Sequence, residues 1–273
     1  MQAKHRAENH GHEHSRHPEG KPGEHLHSDL AVVSTLDISG NKYVLTVVDE
    51  ISKEIIIALL KIKTAEEVCN TCKRIYAIIT ARTKNKLLTW QFDRGTEFLN
   101  SKFSKWILEE IGATQRFSNI EHPWENGIAE RSFETIFGIA RSLLKHADLP
   151  NKLWGKAVLH SVYLKNRTPS ETIGGIAPMQ YRTKEKIDIS NLRVFGCPAQ
   201  IHVRATRRDD NKLSDRSESG TFVGMSQKGN GYIFLVARLN KIIEIDSKDV
   251  KFNETFSDCR ERKGQLSSGA NIT

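Results

Sequence analysis

Apolar and polar positions follow different rhythms along the 273 residues. The first 24 residues show no apolar period and are rich in His, Glu and Gly, which predicts a disordered, solvated tail over 1–24. From Leu30 the rhythm is that of strands: Leu30–Leu36, the turn residues Ser39-Gly40-Asn41, Tyr43–Val48, then Ile55–Leu60. Three such runs with short connections predict a meander. Thr64 then stands as a helix N-cap, with Glu66 and Glu67 in the first turn and Val68, Cys72, Ile75 and Ile79 at helical spacing, and Arg82 and Lys84 close the helix.

Leu87–Phe92 returns to strand character. Ser101–Ile111 reads as a helix, with Phe103, Ile107 and Ile111 on one face and Gly112 as its cap, and Thr114–Ser118 as a short strand. A long helix is predicted from about Glu125 to His146. Its apolar face is Ala129, Phe133, Ile136, Phe137, Ala140, Leu143 and Leu144, and its other side carries Glu130, Glu134, Arg141 and Lys145. Three meander strands followed by helix, strand, helix, strand and helix suit an α/β core of ribonuclease-H-like type over 25–148. Residues 149–189 read as a helical connector completing it: Leu153–Val162 is helical, and Pro169 and Pro178 break the segment. Over 190–256 the pattern becomes short β runs, Val194–Phe195, Gln200–Val203, Gly220–Val223, Tyr232–Val236, Ile242–Ile245 and Val250–Phe252, which predict a small all-β, barrel-like domain. Residues 257–273 are polar and are expected to be disordered.

Composition narrows the functional classes. With 38% hydrophobic and 27% charged residues the chain can bury a core, and its longest apolar runs are too short to span a bilayer. The polar first residues are not a signal peptide, and four cysteines suggest no disulfide framework. Cys69 and Cys72 have half of a zinc-site spacing, but inside a predicted helix the pair reads as packing. The net charge of +8 suits a polyanionic partner, whose phosphates Lys and Arg would neutralise.

Three carboxylates stand where this order of elements would gather them. Asp29 opens the first strand, Asp93 follows the Leu87–Phe92 strand, and Glu130 lies in the first turn of the long helix, with 63 and 36 residues between successive members. Oxygen ligands from separate elements suit Mg2+, and two such ions clamp the attacking and leaving oxygens of a phosphoryl transfer. Position alone leaves competitors: Asp49 and Glu50 for Asp29, Glu97 for Asp93, and Glu125 and Glu134 for Glu130.

The residues around these acids carry a family resemblance. His27-Ser28-Asp29-Leu30, Lys42-Tyr43-Val44-Leu45-Thr46-Val47-Val48-Asp49-Glu50 and Phe92-Asp93-Arg94-Gly95-Thr96-Glu97-Phe98 resemble the first two signatures of copia-type retrotransposon integrases. Asn126-Gly127-Ile128-Ala129-Glu130-Arg131 resembles the third. Leu153-Trp154-Gly155-Lys156-Ala157 and Asn166-Arg167-Thr168-Pro169 continue the likeness. Leu192-Arg193-Val194-Phe195-Gly196-Cys197, Gly220-Thr221-Phe222-Val223-Gly224 and Lys248-Asp249-Val250-Lys251-Phe252 resemble the small β-domain that follows the core in these polyproteins. The likeness runs from about His25 to Phe256. The sequence departs from the family in lacking a paired-Cys motif before Asp29, and in having Trp124-Glu125 where the family has Gln-Gln.

The resemblance implies a retroviral-integrase-type core with a mixed five-stranded sheet, and a catalytic, metal-binding triad of Asp29, Asp93 and Glu130 holding two Mg2+ or Mn2+ ions. Asp49 is left with a structural role. The implied reaction is DNA 3′-end processing and strand transfer. The implied partners are double-stranded DNA, at element ends and target, and further copies of the chain, with no membrane. The implied location is the nucleus, or cytoplasmic virus-like particles for an active element. Arg94, Trp124, Asn126, Arg131, Arg141 and Lys145 are candidate DNA contacts. The loop from about Asn119 to Gly127 has turn chemistry and is expected to be mobile without ligand. Two other classes fit the same residues: an inactive or co-opted nucleic-acid-binding remnant of an integrase, and a nuclease acting on RNA–DNA hybrids.

Overall fold

The computed structural model describes residues 19–93, 95–118, 127–202, 217–227, 230–236, 238 and 241–254. The described residues form two five-stranded sheets. In the first, β1 (His25–Val32), β2 (Tyr43–Asp49) and β3 (Ile55–Leu60) make the expected antiparallel meander, and β4 (Thr89–Phe92) and β5 (Thr114–Phe117) add in parallel to the β1 side. The order is β3-β2-β1-β4-β5, a mixed sheet of ribonuclease-H-like type.

Helices cover both faces, and the alternation of strand residues decides what each face carries. Leu26, Leu45, Val47, Trp90 and Phe92 point to one side, where α1 (Ala65–Thr83) packs through Val68, Cys72, Ile75 and Ile79. Each such side chain contributes about 1.5–3 kcal/mol through burial. The Thr64 cap accepts from the Glu67 N–H at 3.3 Å, and Lys84 closes the helix in a left-handed conformation. Cys72 is fully buried in this layer, and burial pushes its thiol up, so packing explains the Cys69–Cys72 pair. α2 (Ser101–Lys105) runs into a π turn (Trp106–Ile111) that Gly112 ends at φ 70°.

The other face packs against α3 (Gly127–Ala147) and α4 (Trp154–Lys165), with Val44, Val48 and Ile55 meeting Phe133, Ile136, Ala140, Leu153, Ala157 and Val158. Phe195, Val223 and Leu235 join this same core. The second sheet therefore docks on α4. It comprises β6 (Pro198–His202), β7 (Ser217–Met225), β8 (Gly231–Val236), β9 (Lys241–Asp246) and β10 (Val250–Phe252), all antiparallel, in the order β10-β6-β7-β8-β9.

Several boundaries differ from the sequence-based expectation. The first strand begins at His25, not Leu30, and ends at Val32, so Asp29 lies inside it rather than at its start. Polar residues can occupy this strand because distant residues meet part of their hydrogen bonding: the Trp90 indole N–H donates to the buried Ser28 hydroxyl at 2.7 Å, and His27 Nε2 pairs with Glu50. Residues 19–24, expected within the tail, are tied to the core: the Gly23 N–H donates to the Asp49 carboxylate, and Asn85 Nδ2 donates to the Pro22 carbonyl at 2.9 Å. Pro178 does not break a helix but starts α5 (Pro178–Thr183), where its missing N–H costs nothing. Val194–Phe195 forms no strand; Phe195 instead buries its ring beside α4. Residues 1–18 and 255–273 lie outside the described residues, as does the 119–126 part of the expected mobile loop.

Candidate metal centre

Parallel pairing of β1 with β4 brings the first two carboxylates together. Its register ends on Ser28 opposite Phe92, so Asp93, the next residue, falls beside Asp29. Side chains alternate along a strand, so Asp29 shares the face of His27 and Ala31, the face that α3 covers. Thr46 on β2 stands directly opposite Asp29 and faces the same way as Val44 and Val48. Glu130 lies in the first turn of α3, on its exposed side, close enough for its charge to act on Asp29.

The electrostatics are those of carboxylates withdrawn from water within reach of one another's charge. Asp29 is raised to about 6, first by burial, then by the charge of Asp93, with smaller contributions from Glu130 and Glu97; the Leu30 N–H, donating to Asp29 Oδ1 at 2.8 Å, offsets part of this. Asp93 is also raised, by burial and by Glu97, against the opposing pull of the Gly95 N–H and the Lys63 charge. Three buried polar atoms on this face have no hydrogen-bond partner among the described residues: Asp93 Oδ1, Thr46 Oγ1 and His27 Nδ1. Unspent hydrogen-bonding capacity in a buried place is costly unless something else occupies it. The donor set is mostly carboxylate oxygen, the chemistry that Mg2+ and Mn2+ accept. Among the described residues no three His, Cys, Asp or Glu side chains are yet drawn close enough to hold an ion together. Asp29, Asp93 and Glu130 thus offer the donor type that a hard divalent cation takes, and the repulsion that raises Asp29 and Asp93 would be relieved by one.

The competing acids separate. Asp49 is committed to structure: it accepts from Ile51 N–H at 3.1 Å, Ser52 N–H at 2.6 Å and Ser52 Oγ at 2.8 Å, besides Gly23 N–H. Glu50 pairs with His27 Nε2 at 2.9 Å and is held below the usual carboxylate range, chiefly by that hydrogen bond. Glu134 is exposed on α3, and Glu125 lies outside the described residues. Glu97 is different, because its charge reaches both Asp29 and Asp93.

Of the candidate DNA contacts, Arg94, Trp124 and Asn126 lie outside the described residues. Arg131, Arg141 and Lys145 are exposed on α3. Arg131 folds back so that a Cβ at Gly127 would stand 3.1 Å from its Nη1. Its charge also reaches Lys53, a half-buried lysine that burial pushes down. Sequence reasoning passed over Lys53 and the His27–Glu50 pair. Period two along β1, which sets His27 on the Asp29 face, was the available signal for the pair.

Residues 19–123 match the family model described as the integrase core domain, and residues 197–265 match the retroviral polymerase SH3-like domain. The likeness to an integrase core thus lies in the part of the chain that forms β1 to β5. The SH3-like match begins one residue before β6 and takes in the whole second sheet. The chain is 33% identical over 218 residues to the Retrovirus-related Pol polyprotein from transposon TNT 1-94 of Nicotiana tabacum, covering 80% of this chain and 16% of that protein. It is 28% identical over 234 residues to the corresponding polyprotein from transposon RE2 of Arabidopsis thaliana, covering 86% and 16%. The chain thus spans about a sixth of the length of these relatives. Among solved structures, the integrase catalytic core domains of HTLV-2, in complex with magnesium, and of BIV are similar to this core at TM-scores of 0.45 and 0.46. They are 18% and 14% identical, and each match covers 59% of this chain, with 97% and 95% of the solved domains.

Proposed function

We propose that this chain is the catalytic part of a copia-type retrotransposon integrase, a polynucleotidyl transferase that processes DNA 3′ ends and joins them to a target duplex. The observation that carries the reading is the β1–β4 register, which sets Asp29 beside Asp93 under the helix that bears Glu130. In this reading Asp29, Asp93 and Glu130 hold two Mg2+ or Mn2+ ions. When bound, the ions would activate the attacking oxygen and stabilise the leaving one in an in-line displacement. The protein's own contribution is positioning. β1 and β4 would fix two carboxylates on a rigid sheet, and the first turn of α3, the helix that covers the same face, would supply the third. Arg131, Arg141 and Lys145, exposed along α3, would contact backbone phosphates of the DNA. The net charge of +8 supports a duplex partner and an activity that falls with salt. We assign the working protein to the nucleus, as an oligomer of this chain on paired DNA ends.

The test replaces each carboxylate in turn. Asp29→Asn, Asp93→Asn and Glu130→Gln should each lower metal-dependent strand transfer by more than about a hundredfold, with the far-ultraviolet spectrum kept, because each removes a ligand charge and little volume. Transfer at the wild-type rate in any one of them would sink the triad. A branched DNA substrate, with its reacting groups already in proximity, should be resolved more readily than two separate ends are joined. If the wild type binds metal and DNA but acts on neither substrate, the inactive-remnant reading replaces this one.

A further inference from the structure

We propose, resting on the duplex DNA partner given above, that the loop joining β1 to β2, residues 33–42, is a DNA-gripping surface: Leu36 enters the minor groove as an apolar wedge, and Lys42, Lys61 and Lys152 hold the phosphates beside it.

β1 and β4 run parallel, so the loop leaves the sheet at the same end as Asp93. Val33, its first residue, follows Asp29 at a distance of about 13 Å along an extended strand, or about four base steps of a duplex. Lysines from three segments meet this loop. Lys42 is its half-buried last residue, and its carbonyl accepts from the Val33 N–H at 2.8 Å. Lys61, exposed just after β3, lies along the tip: a Cβ built on Gly40 would stand 3.8 Å from its Cε. Lys152 is exposed between α3 and α4, and its carbonyl accepts from the Ile38 N–H at 2.7 Å. The acid of the loop, Asp37, is buried and turned to the loop's own groups. It accepts from the Ser39 N–H at 2.8 Å, the Asn41 N–H at 2.7 Å and Asn41 Nδ2 at 2.9 Å.

A single exposed leucine is ordinary on a protein surface. Leu36 differs in how firmly the backbone beneath it is held. Its side chain is at the surface, 54% exposed, while both of its neighbours are tied to the core. The Trp154 indole N–H donates to the Thr35 carbonyl at 2.8 Å, and Asp37 packs against Gly155 at the start of α4. A side chain displayed on a fixed backbone gives up little freedom when it binds. The chemistry around it selects the partner. An apolar tip flanked by ammonium groups suits a narrow groove walled by phosphates, and leucine is among the side chains that part a base step from the minor groove.

The experiment measures binding of the full chain to a short blunt duplex in chelator, so that metal plays no part. Fluorescence anisotropy gives Kd across a salt series, and 2-aminopurine placed in turn at each step from the end reports unstacking. Lys42→Gln/Lys61→Gln/Lys152→Gln should melt as the wild type does and lower the slope of log Kd against log salt by about 2 to 3, since each lost phosphate contact removes ~0.9. Leu36→Ser should keep the slope, lose the 2-aminopurine brightening seen with the wild type, and weaken Kd by about tenfold. Lys86→Gln/Lys184→Gln/Lys186→Gln removes the same charge from exposed positions before β4 and after α5, and should keep the wild-type slope. A wild-type slope in the first triple variant, an equal fall in the second, or wild-type brightening in Leu36→Ser would each overturn this inference alone. If the wild type itself does not bind the duplex, the DNA partner proposed above fails and this surface fails with it.

Discussion

Asn166 offers the sharpest test of how the connector after the core supports the sheet. β3 is an edge strand, and Ile55, its first residue, is buried with backbone groups that the sheet alone does not satisfy. The Asn166 side chain supplies both partners: its Oδ1 accepts from the Ile55 N–H at 2.9 Å, and its Nδ2 donates to the Ile55 carbonyl at 2.8 Å. Asn166 is itself 8% exposed and Ile55 3% exposed, so water reaches neither readily. Asn166→Ala leaves one buried donor and one buried acceptor unmet, at about 1–3 kcal/mol each. The expected loss is ~4 kcal/mol, or a fall in Tm of roughly 8–16 °C for a protein of this size. Urea unfolding followed by far-ultraviolet circular dichroism measures it. Asn166→Asp separates the two bonds, since it keeps an acceptor for the Ile55 N–H but turns a second oxygen toward the Ile55 carbonyl; it should therefore not restore stability at neutral pH. A loss below about 1 kcal/mol in Asn166→Ala would refute the argument, because it would mean that the edge finds other partners once the connector lets go.

Two further outcomes follow from buried groups. His160 is stacked among Tyr163, Phe195 and Phe222, with ring centroids 5.4–6.0 Å away, and burial pushes it down to about 4. The unfolded chain therefore binds a proton that the folded one refuses, so stability present above pH ~6.5 is lost as pH falls toward 4, by up to about 3 kcal/mol; in His160→Phe that part of the acid sensitivity should disappear, and an unchanged pH profile of urea unfolding would count against it. Gly155 in α4 lies against the Asp37 carboxylate, and a Cβ there would also stand 2.9 Å from Leu59 Cδ1; Gly155→Ala should destabilise by about 1–3 kcal/mol despite its helical position, and a Tm at or above the wild type would contradict that reading.

Much of this protein was legible in local sequence. The Thr64 cap, the Gly112 stop, the Ile55–Leu60 strand and the apolar stripe of α3 depend on neighbours within a turn or two, so composition and period specify them. The motif words around Asp29 and Asp93 pointed to the integrase core that the family match over residues 19–123 supports. What the chain alone did not carry was the distant partner of each polar group. His25–Asp29 reads as too polar for a strand until Trp90, 62 residues on, takes the Ser28 hydroxyl and Glu50 takes His27. Pro178 reads as a breaker until its position at the head of α5 is known. Asn166 looks like one more turn residue until Ile55, 111 residues earlier, is found in its grasp. Likewise Glu97 and Asp93 compete on paper, and only the folded turn at Gly95 sets both acids around one glycine. Local periodicity records which face a residue takes, whereas the satisfaction of buried hydrogen bonds and charges is a property of residues brought together from far apart, and it exists only in the tertiary structure.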